Sequence, residues 1–321
     1  MGKKNLKAQL LYAVNSCFKG NANMSGGFGS SKHSDKKTNQ KNGKIYSFSS
    51  LHSRTDIACQ FSVFVREKYP KVRNASDLKP EMAEAFLLSK SASCTTETLD
   101  CYRSNLAALG ENINRTFASA HVDLKADKVT GMNANQETRC KPMAVKQLSA
   151  LKNSYKPGST GYKAITLAEA AGLRASEIVR VKSKDIQIKD SNKAIVSVYK
   201  GKGGRNRNVI VRDPKSVAAL QDLKDASAND QRIVAVKAGS IQKSINRHMQ
   251  NLSGSAGGSL KSEFSMSGFH SIRKMWAQKE FDACRNEGMT RQEALDYVSK
   301  QLGHGEKRDL ATLQRYVANI W

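Results

Sequence analysis

Four short segments of the chain contain side chains whose types and spacing suit chemistry on a phosphate group. They are Ala171-Gly-Leu-Arg-Ala-Ser-Glu177, Lys200-Gly-Lys-Gly-Gly-Arg205, Ser267-Gly-Phe-His-Ser-Ile-Arg273, and Gln301-Leu-Gly-His-Gly305 followed by Thr312-Leu-Gln-Arg-Tyr316. Arginine and lysine bind phosphate oxygens. Histidine exchanges protons near neutral pH, and a tyrosine hydroxyl can act as a nucleophile. Each segment, taken alone, also has an ordinary structural explanation.

The first two segments present basic groups. Arg174 and Glu177 are three residues apart, which places both on one helix face. There the carboxylate either orients the guanidinium or forms a common helical salt bridge. The glycines around Lys202 suit a tight turn, so Lys202 is either a solvated lysine or an ammonium presented to a DNA phosphate. The GxxxxGK[ST] spacing is absent, so a nucleoside triphosphate site is not indicated.

The last two segments add histidine and tyrosine. His270 and Arg273 share a face at a predicted helix start, although a single histidine there is usually structural. Gly303 is expected to end a helix in the left-handed conformation and to leave His304 exposed at the turn. Tyr316 belongs to a last short helix, where it either packs that helix down or supplies its hydroxyl group.

The overall charge points to a polyanionic partner. The 321 residues include 53 Lys and Arg against 28 Asp and Glu, a formal net charge of +25. Nucleic acid is the commonest partner of such a chain, and a merely solvated basic surface is the alternative. The six cysteines form no CxxC pair or metal-ligand cluster. Their scatter, with no membrane span or signal peptide in the sequence, predicts a cytoplasmic, nucleoid-associated protein without a membrane partner.

Hydrophobic periodicity predicts a mainly helical chain with one small sheet. Residues 1–45 are predicted to form a basic N-terminal helix and a flexible arm, which either touches DNA or is a solvated tail. Residues 46–118 are predicted as a small all-helical domain, with helix N-caps at Asp77 and at Thr95 or Thr96. Residues 119–142 lose the pattern and are predicted as a linker.

A second domain, of the α+β class, is predicted over residues 143–321. Two β-branched runs around the glycine turn, 194–199 and 208–211, indicate a hairpin. The helices are predicted at 143–155, 161–182, 215–226, 239–251, 270–286, 290–302 and 309–318. These elements must bring the four segments together if the segments share a site.

The order of the candidate residues resembles that of the tyrosine recombinase (phage integrase) family. That order is Arg174, Lys202, His270-x-x-Arg273, Leu302-Gly-His304 and Tyr316. The resemblance covers residues 143–321 and includes the glycine contexts and the hairpin between the first arginine and His270. Residues 46–118 resemble the family's core-binding domain by position and helical character.

The resemblance implies how the scissile phosphate is held. Arg174 and Arg273 clamp its non-bridging oxygens and stabilise the pentacoordinate transition state, a task suited to the planar guanidinium fork. Glu177 supports Arg174. His304 hydrogen-bonds the phosphate or supports its neighbours.

The resemblance also implies the covalent chemistry. Tyr316 attacks phosphorus, which forms a 3′-phosphotyrosyl link and releases a 5′-hydroxyl. His270 acts as the general base and Lys202 protonates the leaving oxygen. Because the phosphotyrosine conserves the bond energy, neither ATP nor a metal is needed, and no cofactor is expected.

Two features depart from the family pattern. The gap from His304 to Tyr316 is a few residues longer than usual, and Tyr297 is the other nearby tyrosine, expected in the core with Leu295 and Val298. Only Val317 to Trp321 follow Tyr316. Docking between subunits therefore falls to the short Ile320-Trp321 end or to another surface.

The expected activity is site-specific integration or excision of a prophage or other mobile element. Expected partners are a duplex attachment site, three further copies of the chain in a synaptic tetramer, and DNA-bending or directionality proteins. Three alternatives stay open: a type IB topoisomerase-like enzyme, a non-catalytic protein that only occupies its DNA site, and a metal-dependent DDE-type transposase.

Overall fold

The computed structural model describes residues 5–18, 43–133, 141–199, 201, 205–228, 230–255, 257–264, 268–304 and 313–318. Lys202 lies outside the described residues, as do most of the predicted arm and the segment that precedes Leu313. The chain divides into two compact units, Met1–Ala134 and Asn135–Trp321. Each unit has its own hydrophobic core.

The first unit is helical. Its helices are α1 (Leu6–Ser16), α2 (Phe48–Lys68), α3 (Pro80–Lys90) and α4 (Thr96–Thr116), with a 3-10 turn at Ala75–Asp77. Thr95 caps α4, as predicted, by accepting a hydrogen bond from the Thr98 N–H. The predicted cap at Asp77 is wrong, since α3 begins with Pro80 after Lys79. Proline suits the first helical position because the N–H that it lacks would have no partner in the helix.

The core of this unit includes the predicted N-terminal helix and the start of the predicted linker. In α1, Leu10, Ala13 and Val14 are fully buried among the residues of the same core. Beyond α4, Leu124 is fully buried and Asn114 hydrogen-bonds both the N–H and the carbonyl of Val122. The first helix and the start of the predicted linker are therefore packed against the helical bundle.

The second unit combines helices with a three-stranded antiparallel sheet of order β1-β2-β3. Its elements are α5 (Val145–Asn153), α6 (Thr160–Ala171), α7 (Ala175–Ile178), β1 (Ile186–Asp190), β2 (Lys193–Val198), β3 (Arg207–Val211), α8 (Pro214–Asp225), α9 (Ala238–Asn251), α10 (Gly268–Asn286) and α11 (Arg291–Gln301), with 3-10 turns at Ser183–Asp185 and Leu260–Glu263. The strands β2 and β3 form the predicted hairpin, and β1 was not predicted.

The predicted helix over 161–182 is present up to Ala171 but is broken there, and the break positions the first arginine. Gly172 ends α6 with φ of 57°, and a Cβ there would approach the Trp276 ring to 2.5 Å. Only glycine combines a left-handed backbone with so close a neighbour. The chain turns here, so Arg174 becomes the N-cap residue of the short helix α7.

Candidate active site

The buried carboxylate of Glu177 lies at the centre of the candidate site. Its side chain is 1% exposed, and three arginines approach it. Arg174 donates to it from the backbone N–H at 2.9 Å and from Nη1 at 3.0 Å. Arg207 donates from Nη1 at 2.9 Å and from Nη2 at 2.8 Å. The expected pairing of Arg174 with Glu177 is present, although Arg174 precedes the helix instead of lying within it.

Arg273, on α10, is the most deeply buried of the three arginines, with a side chain 1% exposed. Its Nη1 donates to the Gly172 carbonyl and its Nη2 to the Leu302 carbonyl. Its Nη1 stays 3.9 Å from Glu177, beyond hydrogen-bond length. Among the described residues, its buried Nε has no hydrogen-bond partner.

All three guanidinium groups donate hydrogen bonds to carbonyl groups at the C-terminal end of α11. The Leu302 carbonyl accepts from Arg174 Nη1 at 3.4 Å and from Arg273, and the Gln301 carbonyl accepts from Arg207 Nε at 2.8 Å. The last carbonyls of a helix have no partner within it and carry its partial negative charge. Cations therefore satisfy them well, and this helix end becomes a fixed part of the arginine cluster.

Gly303 shapes the turn that carries His304. Its φ is 74°, its N–H donates to the Lys300 carbonyl at 2.9 Å, and the His304 N–H donates to the Ser299 carbonyl at 3.0 Å. This left-handed ending of α11 is the one predicted from the sequence.

His304 is half-buried and not exposed as expected, because its ring is enclosed by other groups of the site. Its Nε2 lies 3.2 Å from Arg174 Nη2. A guanidinium can only donate, so this contact requires the lone pair on Nε2 and the proton on Nδ1. On its other side lies the phenol ring of Tyr316, with 4.9 Å between ring centroids.

Tyr316 lies beside the arginine cluster in a single helical turn. Its N–H and that of Val317 both donate to the Leu313 carbonyl, and Leu313 and Val317 are buried. The Tyr316 ring is 5.5 Å from Arg273 Cζ and 6.4 Å from the His270 ring. The described part of the chain thus brings Arg174, Glu177, His270, Arg273, His304 and Tyr316 together. Their catalytic roles stay predictions.

The other nearby tyrosine has different surroundings. Tyr297 packs against the core of the second unit, and Arg212 Cζ lies 5.1 Å from its ring. Burial raises the pKa of Tyr297 to about 12, despite the charge of Arg212. A phenol that is harder to ionise is a poorer nucleophile, so these surroundings agree with the expected packing role.

The electrostatics of the cluster favour an anion. Burial alone would raise the pKa of Glu177, but the hydrogen bonds and charge of Arg207, with the Arg174 N–H, lower it to about 2. Burial and then the neighbouring charge of Arg174 lower the pKa of Arg273 to about 9. Three guanidinium groups thus face one ionised carboxylate. A phosphate bound here would relieve the mutual repulsion of the arginines.

Lys202 lies outside the described residues, so its place is not given. The hairpin that carries it is described on both sides: the Gly201 N–H donates to the Arg205 carbonyl at 2.8 Å. A Cβ on Gly201 would lie 3.3 Å from Glu177 Oε1 and 3.2 Å from Arg207 Nη1. The described base of the hairpin is therefore next to the arginine cluster.

Sequence reasoning missed Arg207 and Gln301. Arg207 shares the face of β3 with Val209 and Val211, which are 0% and 1% exposed. Alternation along a strand therefore places the arginine toward the core, where it needs a partner. Gln301 is buried at the end of α11, and its Oε1 accepts from the Ile210 N–H at 2.9 Å. No comparable signal in the sequence identifies Gln301.

The described residues contain neither a membrane-spanning helix nor a cluster of metal ligands. No described helix is long and apolar enough to cross a membrane. No group of three or more His, Cys, Asp or Glu side chains suited to a metal ion was found within the same residues.

Comparisons with known proteins identify the family and the fold. The sequence profile of the phage integrase family matches residues 138–320. The chain is similar to XerH site-specific recombinase bound to palindromic difH substrate in a post-cleavage complex, with a TM-score of 0.61 and 16% identity over 97% of this chain and 90% of that one. No curated protein sequence matches the chain.

Two further solved structures share the fold. The Tn1549 transposon integrase in complex with transposon right end DNA has a TM-score of 0.57 and 12% identity, over 89% of this chain and 93% of that one. A lambda integrase dimer bound to a COC′ core site has a TM-score of 0.55 and 15% identity, over 88% of this chain and 75% of that one. With the family match over more than half of its length, the chain belongs to the phage integrase family, the tyrosine recombinases that cut and rejoin DNA at specific sites.

Proposed function

We propose that this chain integrates or excises a mobile element by cleaving an attachment site through a 3′-phosphotyrosyl intermediate on Tyr316. The observation that carries the proposal is the position of the Tyr316 ring, 5.5 Å from Arg273 Cζ and 4.9 Å from the His304 ring. A phosphate bound by Arg174 and Arg273 would lie within reach of the phenol oxygen. An effectively intramolecular attack of this kind gains much of its rate from such positioning.

The arginines would hold the scissile phosphate. The buried Nε of Arg273 has no acceptor among the described residues, and each of its Nη atoms has a second N–H beyond the carbonyl contacts. Non-bridging phosphate oxygens would supply the missing acceptors. The same donors would stabilise the extra negative charge of the pentacoordinate transition state in a site that needs no reorganisation.

Cleavage then proceeds by one displacement. The Tyr316 oxygen forms a bond to phosphorus while the bond from phosphorus to the 5′ oxygen breaks. The phenol proton passes to His270 as general base, and Lys202 gives a proton to the departing 5′ oxygen. The contact of His304 Nε2 with Arg174 Nη2 holds the end of Arg174 that would face the phosphate. The reverse attack by a 5′-hydroxyl of another strand rejoins the DNA, so the sequence of steps consumes no ATP.

We also propose that four copies of the chain act together on two duplexes. Support comes from a lambda integrase tetramer bound to a Holliday junction, which shares this fold with a TM-score of 0.56 at 14% identity. DNA-bending or directionality proteins would assist, as expected from the resemblance. The cytoplasm, in contact with the nucleoid, is the proposed location.

The covalent intermediate tests the proposal. The DNA site is first recovered by sequencing host DNA fragments that the chain retains, and is then made as a duplex with a nick that traps cleavage. Wild type and Tyr316→Phe are incubated with this duplex in EDTA without ATP and run on denaturing gels. A covalent band in wild type alone supports the proposal. A band that persists in Tyr316→Phe contradicts it, and DNA relaxation without recombinant product would favour a topoisomerase.

A further inference from the structure

Arg207 connects three parts of the site. Its Nη1 and Nη2 donate to the two oxygens of Glu177, and its Nε donates to the Gln301 carbonyl at the end of α11. Its side chain is 10% exposed. It begins β3, directly after the hairpin tip. One planar guanidinium therefore joins the hairpin strand, the carboxylate beside Arg174, and the helix end that precedes His304.

The bidentate pair between Arg207 and Glu177 determines which groups Arg174 and Arg273 can contact. Arg273 Nη1 lies 3.9 Å from Glu177 Oε2, the oxygen to which Arg207 Nη2 donates at 2.8 Å. Without Arg207 this oxygen would be a buried, ionised acceptor with an unused lone pair, which is costly. Among the described residues, the next cation from this oxygen is Arg273, and a shift toward Glu177 would draw it off the Gly172 and Leu302 carbonyls.

The same side chain fixes the turn of His304. A Cβ on Gly303 would lie 3.1 Å from both Cδ and Nη1 of Arg207, so the side chain packs directly against this glycine. Gln301 reinforces the connection, because its side chain accepts from the Ile210 N–H of β3 while its carbonyl accepts from Arg207. The strand and the helix end are thus held together at two adjacent points.

We propose that Arg207 is a positioning residue of the recombination reaction. By occupying both oxygens of Glu177, it keeps Arg273 and one side of Arg174 available to the scissile phosphate. By holding Gln301, it sets the turn that presents His304. This inference rests on the proposed function, since it concerns the rate of phosphate cleavage, and it places Arg207 in no direct contact with DNA.

The test compares charged and neutral substrates in a single-turnover cleavage assay. A methylphosphonate at the cleavage position replaces one non-bridging oxygen by a methyl group, so the reacting group carries no negative charge and depends less on arginine. We expect Arg207→Gln to slow cleavage of the ordinary phosphodiester by about 10-fold or more. The factor by which Arg207→Gln slows cleavage of the neutral substrate should be several-fold smaller. The double variant Arg207→Gln with Glu177→Gln should cleave faster than Arg207→Gln, since the capturing charge is gone.

Arg212 supplies the matched control. It follows β3 and donates from Nη1 to both oxygens of Glu287 at 2.9 and 2.6 Å, on a more exposed part of the same unit. Arg212→Gln should cleave both substrates like wild type. Thermal unfolding of every variant sets the assay temperature below all transitions. If Arg207→Gln does not fold, Arg207→Lys, which retains a charge but not the fork, is carried through the same comparison.

Equal penalties on the two substrates, or a rate within about twofold of wild type, would overturn the inference, because a merely structural arginine affects both substrates alike. Tyr316→Phe is measured beside these variants. Persistent cleavage in Tyr316→Phe rejects the proposed function, whereas its loss together with equal Arg207→Gln penalties rejects the role of Arg207 alone.

Discussion

At the scale of single residues, charge balance accounts for the arrangement of the site. One ionised carboxylate, Glu177, is surrounded by the guanidinium groups of Arg174, Arg207 and Arg273. An isolated charge so deeply buried would be expensive, and the carboxylate offsets only one of three. The two remaining positive charges donate to backbone carbonyls and have no second carboxylate beside them among the described residues, an arrangement that would suit a bound phosphate.

Arg273→Lys should separate chemistry from binding. A lysine cannot reach the Gly172 and Leu302 carbonyls and the phosphate at once, so cleavage should fall by about 10²- to 10³-fold. DNA affinity should change little, because many other phosphate contacts supply it. Single-turnover cleavage and gel-shift titration measure the two quantities.

The control for this substitution is Arg285→Lys on the same helix. Arg285 is exposed, and its Nη1 donates to the Met289 carbonyl. The variant Arg285→Lys should cleave DNA at the rate of wild type. An equal loss of cleavage in both variants would show that α10 tolerates no lysine at either position. It would then give no support to a specific role of Arg273 in cleavage.

Glu177 should make stability depend on acid pH. Its pKa is lowered from 4.5 to about 2 in the folded chain, so its contribution to stability is complete above about pH 4.5 and is lost as pH falls toward 2. The difference in the free energy of unfolding between wild type and Glu177→Gln should therefore shrink over that range. Urea titrations at a series of pH values measure it, and a difference that does not change with pH would contradict the assignment.

At the scale of elements, two helix ends determine the geometry. Gly172 ends α6 and frees Arg174, while Gly303 ends α11 and presents His304. Gly303→Ala should lose activity for two reasons. A non-glycine residue at φ of 74° costs about 1 kcal/mol, and the new Cβ would press on Arg207 at 3.1 Å.

Gly288→Ala isolates the effect of the backbone. Gly288 has φ of 90°, and no atom lies within 4 Å of the position of its Cβ. Both variants should lower the melting temperature, Gly303→Ala by at least as much as Gly288→Ala, but only Gly303→Ala should slow cleavage. Equal cleavage rates in the two variants would mean that the contact between Gly303 and Arg207 has no role.

The sequence predicted those parts of the site that follow local rules. The glycine turn between β-branched runs predicted the hairpin, and Gly303 predicted the end of α11. Local rules failed where long-range contacts decide. The packing of Trp276 on Gly172 breaks the predicted helix over 161–182, and the pairing of Arg207 with Glu177 joins residues 30 positions apart. The alternation of Arg207 with Val209 and Val211 along β3 is the sequence signal that places Arg207 on the buried face.

At the scale of the whole molecule, the net charge of +25 predicts how DNA affinity responds to salt. Each phosphate contact releases counterions, so a footprint of 6–10 contacts should cost about 10³- to 10⁵-fold in affinity between about 50 and 200 mM salt. Titrations on the cognate duplex measure the slope. A DNA affinity that does not change with salt concentration would mean that the basic residues do not face DNA.

The segment 19–42 can be tested separately from α1. The Ile45 N–H donates to the Cys17 carbonyl at 2.8 Å, so the residues on either side of this segment lie close together. Replacing residues 19–42 with a short glycine linker removes five lysines and one aspartate but keeps the buried Leu10 and Val14. If the segment binds DNA, the salt slope becomes shallower. An unchanged slope removes the segment from the DNA interface.

Mass spectrometry of the trapped complex identifies the residue that forms the covalent bond to DNA, which we propose is Tyr316. After nuclease and trypsin digestion, the nucleotide should be found on a peptide that begins at Tyr316, or at Asp309 if cleavage beside the modified tyrosine is blocked. If Tyr316 is the nucleophile, this mass is present in digests of wild type and absent from digests of Tyr316→Phe. A nucleotide on the peptide Gln292–Lys300, which contains Tyr297, would contradict it.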